Sequence, residues 1–259
     1  MITSREHKQR GQAEPLVERA SSDGLRRRLV ELGHTEEGRV AEFGAIVVAG
    51  FLAAVVLLYA FAWLANEVLD QETHALDVAT LTLLRRFSSP ELTSAAQVVS
   101  AMGSQVVFAL GGLLVVVFIW QRRWGAAITL LLVTGGAQVL NDFLKELIHR
   151  TRPTQVIGLI DAQQFSFPSG HAMVAAAFYL YLAYLSWRLV RGWWRGLLVG
   201  GLVVLVLLIG LSRLYLEAHY LSDVIAGYLA GVLWTDAVIV GGRVLSVRTH
   251  RRRIVRKLR

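Results

Sequence analysis

The chain has 259 residues, of which 54% are hydrophobic and only 18% charged, and its mean hydropathy of +0.49 is that of a membrane protein. It contains no cysteine, which excludes disulfides, thiolate metal sites and a cysteine nucleophile. The formal net charge is +8, and arginines crowd both ends, where runs such as Arg26-Arg27-Arg28 and Arg251-Arg252-Arg253 flank an apolar middle. Basic ends beside hydrophobic spans hold the cytoplasmic side against anionic lipid headgroups, so nucleic acid is not the expected partner.

Met1 to Glu42 is polar and charged and lacks the apolar core and small-residue cleavage site of a signal peptide. A spanning helix takes about 20 apolar residues, and Phe43 to Ala65 supplies the first. Asn66 to Ser100 mixes Glu67, Asp70, Glu72, Asp77, Arg85, Arg86 and Glu91 with apolar residues, which predicts a connection with one or two short amphipathic interfacial helices. Span two is expected from Gly103 to Trp120 and span three from Trp124 to Leu144, with Gln121-Arg122-Arg123 as the turn between them. Lys145 to His171 reads as a loop. Span four runs from Ala172 to Leu189, span five from Gly196 to Leu211 and span six from Asp223 to Gly242.

The predicted architecture is therefore an all-α integral membrane protein with six transmembrane helices. One membrane domain, 43–242, sits between basic tails at 1–42 and 243–259. The positive-inside rule places both tails, Arg122-Arg123 and the Arg188, Arg191 and Arg195 turn on the cytoplasmic side. The 66–100 connection, the 145–171 loop and the 212–223 segment then face outward, as expected of a bacterial plasma-membrane protein. Trp120, Trp124, Trp187, Trp193, Trp194 and Trp234 read as an inner aromatic belt, and Asp236 as interfacial.

Three clusters share the outer face: Lys145 to Pro153, Pro168-Ser169-Gly170-His171, and Ser212-Arg213 followed by His219 and Asp223. Lys145, Arg152 and Arg213 are cationic donors suited to phosphate oxygens. Pro168 to His171 opens span four, so its free N–H groups and helix dipole also favour an anion, and Gly170 permits close backbone approach. Ser169 adds a hydroxyl. His219 and Asp223 lie four apart, so the carboxylate can hold Nδ1–H and leave Nε2 as a nucleophile, while His171 can act as an acid. His149 and Arg150 read as loop or headgroup contacts, and Glu217 as a residue opening a helix in preference to a modulator of the site. Singly these are ordinary interfacial residues; their meaning lies in coinciding on one face.

In order and spacing the three clusters resemble the signature of the type 2 phosphatidic acid phosphatase superfamily. In that signature six residues separate a lysine from Arg-Pro; Pro-Ser-Gly-His follows, then Ser-Arg, five residues, a histidine, three residues and an aspartate. Lys145, Arg152, Pro153, Pro168, Ser169, Gly170, His171, Ser212, Arg213, His219 and Asp223 occupy these positions. The resemblance implies a phosphatase acting on a lipid phosphate or diphosphate without a metal or other cofactor. It implies His219 as nucleophile, His171 as acid and base, Asp223 supporting His219, and Lys145, Arg152, Ser169, Gly170 and Arg213 binding phosphate. Transfer to another hydroxyl, or lipid-phosphate binding without catalysis, are the alternatives.

Overall fold

A computed structural model describes residues 44–153 and 165–257, the last twelve of these by backbone alone. The expected 1–42 tail lies outside them. The described residues form helices α1 (Gly44–Leu69), α2 (His74–Arg85), α3 (Pro90–Ala101), α4 (Gln105–Trp120), α5 (Trp124–Ile148), α6 (Gly170–Leu189), α7 (Trp193–Tyr215) and α8 (Leu221–Lys257). No strand occurs among them. Six stretches are long and apolar enough to cross a bilayer, with α3 and α4 counted as one, Pro90–Trp120. Helices suit that setting because every interior backbone group is satisfied within the segment.

Several boundaries differ from the sequence expectation, most of them where polar residues suggest a helix end but the helix runs on through them. Thus α5 continues through Lys145 and ends at His149, whose φ of 53° is left-handed; Lys145 is not in a loop. Likewise α7 extends to Tyr215, placing Ser212 and Arg213 on its last turns, and α6 starts at Gly170, placing His171 in its first turn. The second span also begins early. Pro90 at the first helical position and Ser89, whose side chain accepts from the Leu92 N–H, start α3, and no charge follows Glu91 until Arg122. Instead of lying at the interface, α3 packs along α7 and leads into α4. By contrast α2 is a short helix in the connection, as expected, with Asp77 and Leu81 buried. At the far end, the backbone of α8 stays helical to Lys257, continuing the last span into the basic segment.

The core gathers on α6, which is packed against α4, α5, α7 and α8. It can be central because it is thin: Ala172, Ala175, Ala176 and Ala177 are fully buried. Its neighbour α8 answers with glycines. A Cβ on Gly227 would lie 2.7 Å from the Ser169 carbonyl, and one on Gly231 would lie 2.5 Å from the Met173 carbonyl. Small residues that let backbones touch are the usual means of helix association in lipid. Outward faces carry large apolar side chains such as Phe51, Leu52, Val116, Leu131 and Leu207. Trp120, Trp124, Trp187, Trp193 and Trp194 are exposed. Trp234 is not part of that belt: it packs against Gly136 and donates Nε1–H to the Leu132 carbonyl at 2.8 Å. Asp236 is half-buried beside Gly50 rather than exposed.

Overpacking a tight core typically costs about 1–3 kcal/mol. Gly231→Val is therefore expected to lower the thermal midpoint of the detergent-solubilised protein. Gly201→Val, at a position with nothing near an added Cβ, should leave it unchanged.

Candidate active site

Because the spans alternate in direction, the ends of α5, α6, α7 and α8 that carry the three clusters meet at one end of the bundle. A backbone bond ties two of them together: the Ser169 N–H donates to the Asp223 carbonyl at 2.9 Å. Between these ends lies a cavity of about 1100 Å³, walled in part by Lys145, Arg152, Gly170, His171, Arg213 and His219. That is ample for a phosphorylated headgroup.

His219 sits in the connection between α7 and α8 rather than on a helix, and its side chain is 2% exposed. Its Nδ1 lies 2.9 Å from the Ser166 carbonyl oxygen. A carbonyl only accepts, so Nδ1 carries the hydrogen and Nε2 keeps its lone pair. Sequence spacing assigned that task to Asp223, but the Asp223 Oδ2 is 3.5 Å from Nδ1, too far for a good hydrogen bond. The carboxylate acts instead as a nearby negative charge. Burial, opposed by Asp223, holds the His219 pKa down to about 4, so the ring is neutral at neutral pH.

The cations are aimed rather than merely present. Arg213 is buried on α7, with Nη1 donating to the Ser100 hydroxyl of α3 at 2.7 Å. Its Nε has no hydrogen-bond partner among the described residues, and neither has the buried Ser169 hydroxyl. Buried donors left unsatisfied are costly, and an anion in the cavity would satisfy them. Arg152 donates from Nη1 to the Ala218 carbonyl at 3.1 Å, bracing the connection that carries His219. Ser169 caps α6 without a side-chain bond to the helix, so the first N–H groups of that helix add to the positive field beside Gly170 and His171. Gly170 makes room here, because a Cβ would come within 2.9 Å of the Asn141 Oδ1 and displace that side chain.

Some residues were missed or misread in the sequence. Arg150 is not a headgroup contact: its side chain is 8% exposed and pairs with Asp77 and Asp223. Glu217 does not open a helix; at φ 53° it follows α7 and takes both oxygens to Arg85 at 2.6 Å. His149 is exposed and stacks edge-on against Phe165. Ser166, Ser100 and Asn141, the last donating to the Pro168 carbonyl at 3.2 Å, carried no sequence signal beyond closeness to a motif or a place on a span. Among the described residues no group of three or more His, Asp or Glu is arranged to hold a metal ion.

Bundle and site together define an integral membrane protein whose histidines are set in a cationic anion pocket. Residues 126–243 match the family model of the PAP2 superfamily, a segment that includes every member of the three clusters. The chain is similar to phosphatidylglycerophosphatase B of Bacillus subtilis, with 37% identity over 120 residues, 45% of this chain and 57% of the relative. It is also similar to an undecaprenyl-diphosphatase of Sulfolobus acidocaldarius, with 29% identity over 44% of this chain and 53% of the relative. The matches thus span little more than half the length of these curated relatives. Among solved structures, a transmembrane PAP2-type phosphatidylglycerolphosphate phosphatase from Bacillus subtilis superposes with a TM-score of 0.65 at 29% identity, covering 71% of this chain and 93% of that one. Aquifex aeolicus LpxE shares the fold, with a TM-score of 0.50 at 23% identity over 63% of this chain and 94% of its own.

The environment of His219 has a spectroscopic consequence. In ¹⁵N-histidine NMR the His219 ring is expected to remain in the neutral Nδ1–H form from neutral pH down to the vicinity of 4. A ring that protonates near 6.5, the unperturbed value, would contradict the buried neutral tautomer.

Proposed function

We propose that this protein is a phosphatase acting on a phosphomonoester or diphosphate of a membrane lipid, with His219 as its nucleophile. The observation that carries the reading is the His219 Nε2 lone pair, left free by the Nδ1–H bond to Ser166, on the wall of a cavity shared with Lys145, Arg152, His171 and Arg213. Phosphate oxygens would be held by Arg213 Nε, the Ser169 hydroxyl, Lys145, Arg152 and the N–H groups that open α6. Such preorganised charge is usually the largest contribution to catalysis.

With the phosphate seated, Nε2 attacks phosphorus in line and the bond from phosphorus to the leaving oxygen breaks. His171 gives that oxygen a proton, releasing the lipid alcohol or the shortened lipid phosphate. The imidazole becomes a cation that retains Nδ1–H, and Asp223 opposes its charge. His171, now deprotonated, takes a proton from water as the water attacks phosphorus, and the histidine–phosphorus bond breaks to give inorganic phosphate. No step is assigned to a metal ion.

The relatives' names, a phosphatidylglycerophosphatase and an undecaprenyl-diphosphatase, support phosphatidylglycerol phosphate and polyprenyl diphosphate as first substrates to examine, with phosphatidic acid as the simplest analogue. The arginines at the opposite end of the bundle, Arg122, Arg123, Arg188, Arg191 and Arg195, support placing the site on the extracytoplasmic face.

The test is inorganic phosphate release from these lipids in detergent with excess chelator. Activity is expected to survive chelation, and His219→Ala should lower it by at least about 1000-fold. Phosphate release by His219→Ala at the wild-type rate would sink the reading. His171→Ala should be more damaging for a lipid than for p-nitrophenyl phosphate, whose leaving group needs no proton.

A further inference from the structure

Beside the cavity, and absent from the described residues that wall it, lies a cluster of buried charge of which the mechanism above uses only Asp223. Asp77 of α2 is 1% exposed, Asp223 of α8 is 0% exposed and the Arg150 side chain between them is 8% exposed. Arg150 Nη2 reaches Asp77 Oδ2 at 2.8 Å and Nη1 reaches Asp223 Oδ1 at 2.6 Å. Asp77 accepts two further bonds, from the Ser222 N–H at 2.9 Å and the Ser222 hydroxyl at 2.6 Å. Asp223 Oδ2 accepts from the Tyr220 N–H at 2.9 Å, and the guanidinium also stacks 4.4 Å from the centre of the Tyr220 ring. Every carboxylate oxygen thus meets a donor, so both acids are carboxylates by geometry. Burial works against the Arg150 charge, yet its carboxylate partners keep its pKa above the ordinary value.

A chain of two carboxylates and one guanidinium leaves one net negative charge buried beside Nδ1 of His219. Buried ions cost several kcal/mol each to desolvate, so the second carboxylate is not explained by pairing alone: Arg150 and Asp223 would already be neutral together. What the extra charge complements is the cation that forms when Nε2 bonds to phosphorus and Nδ1 keeps its hydrogen. We propose that Asp77 and Arg150 are positioning residues for phosphoryl transfer, holding Asp223 beside His219 and giving the three-residue chain one net negative charge that stabilises the phosphohistidine ring. Through Asp77, the connection helix α2 becomes part of the catalytic charge distribution without touching substrate. The inference rests on His219 being the nucleophile.

The experiment measures kcat and KM for phosphate release from short-chain phosphatidic acid in detergent, with folding checked by thermal midpoint. Asp77→Asn removes the net charge and is expected to lower kcat by about 10- to 100-fold, with KM changed less than about threefold because substrate binding does not involve it. Arg150→Gln leaves two unbalanced carboxylates and should also lower kcat, while Arg150→Lys should recover part of the loss. The double variant Asp77→Asn with Arg150→Gln restores the net charge of the wild type, so its kcat should be no lower than that of Arg150→Gln alone. Independent structural damage would instead multiply the two losses. Wild-type kcat in Asp77→Asn, or multiplied losses in the double variant, overturns the proposal; should Arg150→Gln fail to fold, Asp77→Asn decides alone. His219→Ala is run alongside. If it stays active, the nucleophile assignment falls and this inference with it, whereas an inactive His219→Ala beside a fully active Asp77→Asn removes this inference only.

Discussion

The close approach of α6 to α8 is the constraint on which the site depends. Gly227 brings the α8 backbone against the Ser169 carbonyl, and one turn earlier the Ser169 N–H closes on the Asp223 carbonyl at 2.9 Å. These contacts bring the start of the helix bearing His171 beside the start of the helix that follows His219. A Cβ at Gly227 would lie 2.7 Å from the Ser169 carbonyl, so the two backbones would have to separate and strain the hydrogen bond from Ser169 to Asp223. Two clusters separated by some fifty residues of sequence would then no longer share a pocket. In a bilayer, where apolar side chains gain little by leaving lipid for protein, backbone contact between small residues is the main attraction available.

Within that frame the site manages buried charge in two layers. The upper layer is cationic and incompletely satisfied: Arg213 Nε and the Ser169 hydroxyl lack partners among the described residues, so an anion completes it. The lower layer is anionic and fully bonded, with Asp77 and Asp223 on Arg150. His219 lies between them, its Nδ1–H turned to the Ser166 carbonyl and the Asp223 charge. A neutral ring suits the resting state of this arrangement, and the lower layer would favour a cationic ring in the phosphohistidine proposed above. Low dielectric strengthens both effects.

The alternation of apolar stretches and basic turns makes the six-span architecture readable without coordinates, because an uninterrupted apolar run of about 20 residues crosses lipid with its backbone satisfied only as a helix. The three clusters and their common face are readable too, since motif spacing and span parity require no knowledge of packing. Helix ends were the weak point. Lys145, Ser212 and Arg213 are polar and so suggest loops, yet polarity reports depth in the membrane rather than backbone conformation. α3 was lost for the converse reason: a few charges before Ser89 disguised an uncharged run that starts soon after it.

Residue identity and periodicity alone therefore determined the class of fold, the match to a family signature and the set of cationic and histidine side chains that line the cavity, all of which are encoded locally or by regular spacing. Only the tertiary structure decided what holds His219 and what balances it. Ser166 acts through a backbone carbonyl, which no side-chain identity reveals. The Asp77–Arg150–Asp223 chain joins a connection helix, the end of α5 and the start of α8 across more than seventy positions. Such long-range electrostatics leaves no periodic mark in the sequence, because it depends on which helix ends meet in space.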